Sequence, residues 1–158
     1  MKIDELINNY VKNQYMMQLA TSSNGQPWCC TVYYVADNEL NLYWLSLPTR
    51  RHSREIDDNN RVAVAIPVKF VLGEKVVGVQ AEGSAEHVPS SEKSRDIAKL
   101  YAKKFNRGDQ WVDDYCSGKT DHKLYKFTPE KFVIFDDINY PNQPRQEHIR
   151  KGKNSLID

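Results

Sequence analysis

The sequence predicts a small β-barrel with peripheral helices. Apolar, β-branched and aromatic residues fall into seven short runs bounded by turn residues, the mark of a strand-rich domain. Helical spacing is confined to a few short segments between those runs. The chain has 158 residues, enough for one domain with a real core, and strands this numerous around one core close into a barrel that removes exposed edges.

The elements follow in chain order. Ile3, Leu6, Ile7, Tyr10 and Val11 form one apolar stripe at helical spacing over residues 3–13. "YMMQLATS" (residues 15–22) reads as a strand, "SNGQP" as a turn, and "WCCTVYYV" (residues 28–35) as the returning strand of a hairpin. "ADN" turns the chain into a third strand, "ELNLYWLSL". A short polar helix follows Thr49 and ends near "DDNN". "RVAVAIPV" and "KVVGVQAEGSAEHV" are further strands, and Gly78 and Gly83 in the second suggest bulges or close backbone approach. "PSSEK" opens a helix with Ser90 or Ser91 as N-cap and Ile97, Leu100, Tyr101 and Phe105 on its inner face. A helical turn is expected around "DQWVDDYC", and "KLYKFTPEKFVIFDD" reads as two strands about a Thr-Pro turn. Residues 1–138 thus form the barrel domain, and residues 139–158 are expected to be a polar tail, mobile or lying on a partner.

Bulk composition narrows the function. Lys plus Arg number 22 against 21 Asp plus Glu, which argues against a general nucleic-acid binder. No apolar segment approaches the length of a membrane span, and no signal peptide is evident. The three cysteines include an adjacent pair and no CxxC, so neither a disulfide framework nor a zinc site is indicated. The expectation is a cytoplasmic protein with no metal.

One stretch demands a chemical explanation. In "LYWLSLPTRRHSREI" a buried strand runs into Pro48, Thr49, Arg50, Arg51 and His52 at what reads as a helix start capped by Thr49. Cations at the positive end of a helix are unfavourable by ~0.3–1 kcal/mol each unless an anion sits among them. The alternative is a solvated turn whose basic residues pair with Glu55, Asp57 and Asp58. The residue pattern leaves both readings open.

Together, "GQPWCCTVYYV", "LYWLSLPTRRHSREIDDNNRVAVAI" and "GVQAEGSAEHV" resemble the landmark segments of the pyridoxamine 5'-phosphate oxidase-like, FMN-binding split-barrel family. The resemblance runs from Gly25 to Val88. It implies a split β-barrel with FMN as cofactor, the flavin lying at the interface of a homodimer. It implies phosphate contacts from Ser46, Arg51 and His52, the last standing where lysine is usual. Thr49 and Arg50 flank that element, while Cys30, Thr31, Val32, Tyr33 and Leu45 would lie beside the ribityl chain and ring. The implied activity is a flavin-dependent oxidoreductase on an unidentified small molecule, with hydride exchange with NAD(P)H or the substrate supplied by the flavin. A haem-binding or haem-degrading barrel and a non-catalytic flavin carrier are the alternatives. Three departures separate the chain from the vitamin B6 enzyme. A glutamine used against the flavin falls at Gly78 (Gln80 lies one pleat away), a lysine becomes Val35, and the carboxy-terminal Arg-x-His element is absent.

The remaining candidates have plainer readings. His87, His122 and His148 are scattered, and the adjacent Cys29 and Cys30 point to opposite faces of a strand. The aromatic patch of Trp28, Tyr33, Tyr34, Tyr43 and Trp44 serves mostly the core, with the remainder left for a flavin or a partner.

Overall fold

The structure, a computed structural model, describes residues 2–150. Helix α1 (Ile3–Asn13) leads into the antiparallel strands β1 (Met16–Ser23), β2 (Gln26–Ala36) and β3 (Leu42–Ser46). Helix α2 (Arg51–Asp58) then precedes β4 (Arg61–Lys69) and β5 (Val77–Val88). A 3-10 turn (Glu92–Ser94), α3 (Arg95–Lys104), α4 (Asp109–Cys116), β6 (Lys123–Asp136) and β7 (Arg145–Ile149) complete the order.

The sheet runs β3-β2-β1-β4-β5-β6-β7, and β3 also pairs with β6, so six strands close into an antiparallel barrel. Closure depends on β6. Its first half, from Lys123 to Phe127, pairs with β3, and its second half, from Lys131 to Phe135, pairs with β7. A bulge at Glu130 separates the halves, where Gly83 of β5 lies opposite Pro129. A Cβ on Gly83 would sit 2.1 Å from the Thr128 carbonyl oxygen, so only glycine fits this crossing.

Two expectations are corrected here. "KLYKFTPEKFVIFDD" is one continuous strand, because the Thr-Pro step is absorbed as a bulge opposite Gly83 and makes no reversal. The polar segment after Asn139 also contributes structure, since residues 145–149 add β7 to the free edge of the second half of β6. An edge strand with no apolar cover needs no hydrophobic pattern, which explains its polar sequence. The expected tail beyond residue 150 lies outside the described residues.

The core has two parts. Met17, Leu19, Tyr34, Leu42, Trp44, Val64, Ile66, Val79, Phe127 and Ile134 fill the barrel. Ile7 and Val11 of α1 reach this cluster at one end, and Ile56 of α2 reaches it at the other. A second cluster lies outside the wall, where Tyr101, Val112 and Tyr115 of α3 and α4 pack on Val35, Tyr43 and Leu124. Beyond the end of α3, where Phe105 packs 5.4 Å centroid-to-centroid against Tyr33, the rest of the outer wall carries no helix among the described residues. There Tyr33 pairs with Met16, the register Gln18↔Ala65 puts Met16 level with Pro67, and Pro67, Gly78 and Phe135 continue the row. Tyr33, Met16 and Phe135 are all exposed on that face. No helix of the described residues is long and apolar enough to cross a membrane.

Candidate functional site

The strand β3 ends at Ser46 because Pro48 follows two residues later, and the chain then turns directly into α2. The N-cap is Arg50 rather than the expected Thr49, and neither it nor Thr49 caps the helix through its side chain. The first backbone N–H groups of α2, from Arg51 onward, therefore have no partner within the helix. Register places this helix start beside two strands, with Ser46 opposite Lys123 on β6 and β2 on the other side of β3.

A cavity of about 240 Å³ opens at that point, lined by Thr31, Val32 and Tyr33 of β2, Leu45, Ser46 and Leu47, Arg50 and His52. Tyr101 of α3 and His122, just before β6, complete its wall. Seven of the residues singled out from sequence thus meet in one place: Thr31, Val32, Tyr33, Leu45, Ser46, Arg50 and His52. Cys30 reaches the same cluster through His52. Thr49 is exposed and does not line the cavity.

His52 is the hub of the buried side. Its Nε2 lies 2.8 Å from Ser46 Oγ and its Nδ1 3.4 Å from Cys30 Sγ. The buried Ser53 hydroxyl donates to Ser46 Oγ at 3.4 Å. Burial, and then the Arg50 charge, push the His52 pKa down, with Glu55 opposing. The imidazole is therefore neutral near pH 7 until an anion arrives. Burial raises the Cys30 thiol to about 11, with Cys29 and Glu55 adding to it, so this cysteine is no thiolate nucleophile.

Arg51 departs from its expected place. Its Nε donates to Glu55 Oε1 at 2.7 Å, and its guanidinium lies 4.3 Å from the centroid of the Trp28 ring. The other Glu55 oxygen accepts the Thr21 hydroxyl at 2.5 Å, and these two donors hold the Glu55 pKa below the usual carboxylate range. Arg51 thus pairs with Glu55 four residues on, as the solvated-turn reading expected, whereas Arg50 and His52 line the cavity.

Sequence reasoning assigned Tyr101 to a helix core and counted His122 among scattered histidines with no motif. Tyr101 does sit on the apolar stripe of α3, packed 4.6 Å centroid-to-centroid against Phe105, and its edge reaches the cavity as well. His122 follows "SGKTD", a turn with no periodicity, so no local signal could have placed it. The aromatic patch divides cleanly: Tyr34, Tyr43 and Trp44 are buried, whereas Trp28 and Tyr33 are exposed.

Known proteins agree with this architecture. Among solved structures, a FAD-binding protein from Mesorhizobium loti superposes with a TM-score of 0.67 at 19% identity, covering 85% of this chain and 94% of the other. A haem storage protein from Vibrio cholerae gives 0.67 at 20% identity, over 86% and 95% of the two chains. Identities this low bear on the fold alone. By sequence, a UPF0306 protein of Pasteurella multocida (strain Pm70) is 31% identical over 135 residues, 84% of this chain and 87% of its own. A UPF0306 protein of Yersinia pseudotuberculosis (serotype O:1b, strain IP 31758) is 28% identical over 79 residues, 49% of this chain and 54% of that one. The family model described as pyridoxamine 5'-phosphate oxidase matches residues 3–134, nearly the whole barrel, and the chain belongs to that split-barrel family.

Proposed function

We propose that this protein binds FMN and works as a flavin-dependent oxidoreductase on a small molecule, as a homodimer. The observation that carries the reading is the convergence of Ser46, Arg50 and His52 on one cavity at the start of α2, whose first N–H groups have no partner within the helix. These groups fit a phosphate ester, offering one guanidinium, one imidazole able to take up a proton, and hydroxyl and amide donors. Val32 and Leu45 provide apolar wall for the rest of the molecule, and Tyr33 and Tyr101 provide aromatic faces.

Bound FMN would supply the hydride chemistry at its ring. The chain's own residues anchor the phosphate, orient the flavin along β2 and exclude water with Leu45, Val32 and Tyr101. No side chain of the cavity is placed as a strong base or nucleophile, given a neutral His52 and a thiol raised to about 11.

Size and surface support the dimer. A cavity of about 240 Å³ is smaller than the ~300–1,000 Å³ typical of small-molecule sites, so one chain encloses only part of a flavin. The outer face with Tyr33, Met16 and Phe135 borders that cavity through Tyr33, and a second copy laid on it would complete the site. Departures at Gly78, Val35 and the C-terminal segment point away from vitamin B6 as the substrate.

An absorbance spectrum of the purified protein, before and after FMN is supplied, tests the cofactor. Near-ultraviolet and blue bands with about one flavin per chain support it, and bleaching by NADH or NADPH without oxygen supports the enzyme. Loaded flavin that no donor reduces would leave a carrier. A Soret band of defined stoichiometry with haem, and no flavin uptake, would replace the reading with a haem protein, for which His52 and His122 are the histidines at the cavity.

A further inference from the structure

Resting on the FMN reading, we infer that the adjacent arginines divide the work at the phosphate. Arg50 and His122 select the phosphorylated flavin, whereas Arg51 belongs to the scaffold. Arg50 and His122 both line the cavity and Arg51 does not.

The reason lies in Glu55. This carboxylate is 7% exposed and is held by two donors, Thr21 from β1 and Arg51 from its own helix. Swinging Arg51 toward a phosphate would leave a buried carboxylate without its cation and give up the Trp28 stacking. The freed negative charge would also stand one helical turn from the incoming anion. Arg50 carries no such commitment. Among the described residues it makes no ion pair, it is exposed, and it lines the cavity beside His52.

His122 is held at the cavity by its own turn. Its carbonyl accepts the Thr120 hydroxyl at 3.0 Å, and the Lys123 ammonium donates to the Thr120 carbonyl at 2.9 Å. Because Lys123 pairs with Ser46 across β3 and β6, His122 stands at the level of Leu47, next to the site. The same contacts tie the Lys123 ammonium to the turn, so the nearby lysine is not the cation that faces the cavity. The side chains of this chain that meet the phosphate are therefore Arg50, His52 and His122.

Fluorescence titrations with FMN and with riboflavin, on wild type and on Arg50→Ala, His122→Ala and Arg51→Ala, test the division. Arg50→Ala should weaken FMN roughly 10- to 100-fold and leave riboflavin unchanged. His122→Ala should weaken FMN by several-fold in the same selective manner. Arg51→Ala should keep the wild-type ratio of FMN to riboflavin affinity while lowering the melting temperature by roughly 3–8 °C. Should that variant not fold, Arg51→Gln retains a donor for Glu55 and gives the same comparison. Loss of the ratio in an Arg51 variant of normal stability, or an unchanged ratio in Arg50→Ala, overturns the division. Wild type that binds neither flavin overturns the FMN reading itself, a separate and recognisable outcome.

Discussion

Gly83→Ala is the substitution whose cost is best defined by the fold. A Cβ at this position would lie 2.1 Å from the Thr128 carbonyl oxygen and 3.0 Å from the Pro129 Cα, both backbone atoms. Ordinary contact needs more than 3 Å, so β5 and β6 would have to separate by about 1 Å at the bulge. Overpacking of this kind costs ~1–3 kcal/mol where side chains can yield, and a backbone obstacle puts the cost at or above the upper end. Replacing glycine by alanine returns only ~0.4–1 kcal/mol through the unfolded chain, leaving a net loss of about 2–4 kcal/mol. For a chain of this size that is a fall in melting temperature of roughly 5–15 °C. Gly78→Ala is the internal control, since its Cβ would meet only the Ile66 carbonyl oxygen at 3.7 Å. Urea and thermal unfolding of the two variants beside wild type make the comparison. A Gly83→Ala protein within ~0.5 kcal/mol of wild type would refute the idea that β6 bends at this crossing to pair first with β3 and then with β7.

Other consequences follow from titration and buried polar contacts. His52 is held below its ordinary value of 6.5, so its neutral form supports the fold above that pH and the contribution drains as pH falls. Melts from pH 8 to pH 5 should therefore show a shallower acid slope for His52→Gln than for wild type, and parallel slopes would remove His52 from the account. A bound phosphate dianion instead favours the imidazolium. FMN affinity should rise as pH falls from 8 to 6.5 in wild type and stay flat in His52→Lys, with a flat wild-type profile as the contrary result. Asp136 is fully buried and accepts the Tyr10 hydroxyl at 2.6 Å together with the Ile138 and Asn139 amides. Desolvation pushes its carboxyl up, yet these donors outweigh it and the pKa lies below the ordinary value. Asp136→Ala should cost ~2–4 kcal/mol by urea unfolding, because it strands several donors at the α1 end of the barrel; a loss under ~1 kcal/mol would contradict that.

Much of this architecture was legible in the sequence because alternation and turn chemistry agree with the barrel. Leu19 and Met17 point inward while Gln18 and Met16 do not, and "SNGQP" makes the expected hairpin with Gly25 at φ +75°. The α1 stripe, the barrel closure and the cavity strands were readable on the same grounds. What escaped depends on partners distant in the chain. Pro129 looks like a turn until Gly83, far away in β5, is seen to accommodate it as a bulge. Residues 145–149 carry no apolar pattern, since their strand is held by ladder hydrogen bonds to β6. At the site, "TRRH" correctly marked a cationic helix start, but Arg50, the extended N-cap, lines the cavity while Arg51, the first helical residue, turns to Glu55. Which one faces the cavity is decided by Thr21 and Trp28, neither of which neighbours them in sequence. His122 was invisible for the same reason.

The most direct test of the central claim is the wild-type affinity for FMN relative to riboflavin, measured by fluorescence titration near neutral pH. The two ligands share the ring and ribityl chain and differ only in the phosphate. One FMN bound per chain, held at least ~100-fold more tightly than riboflavin, is the predicted result for a site built from Arg50, His52, Ser46 and the α2 amides. Equal affinities, or no binding of either, would mean that the helix start after Pro48 does not hold a flavin phosphate.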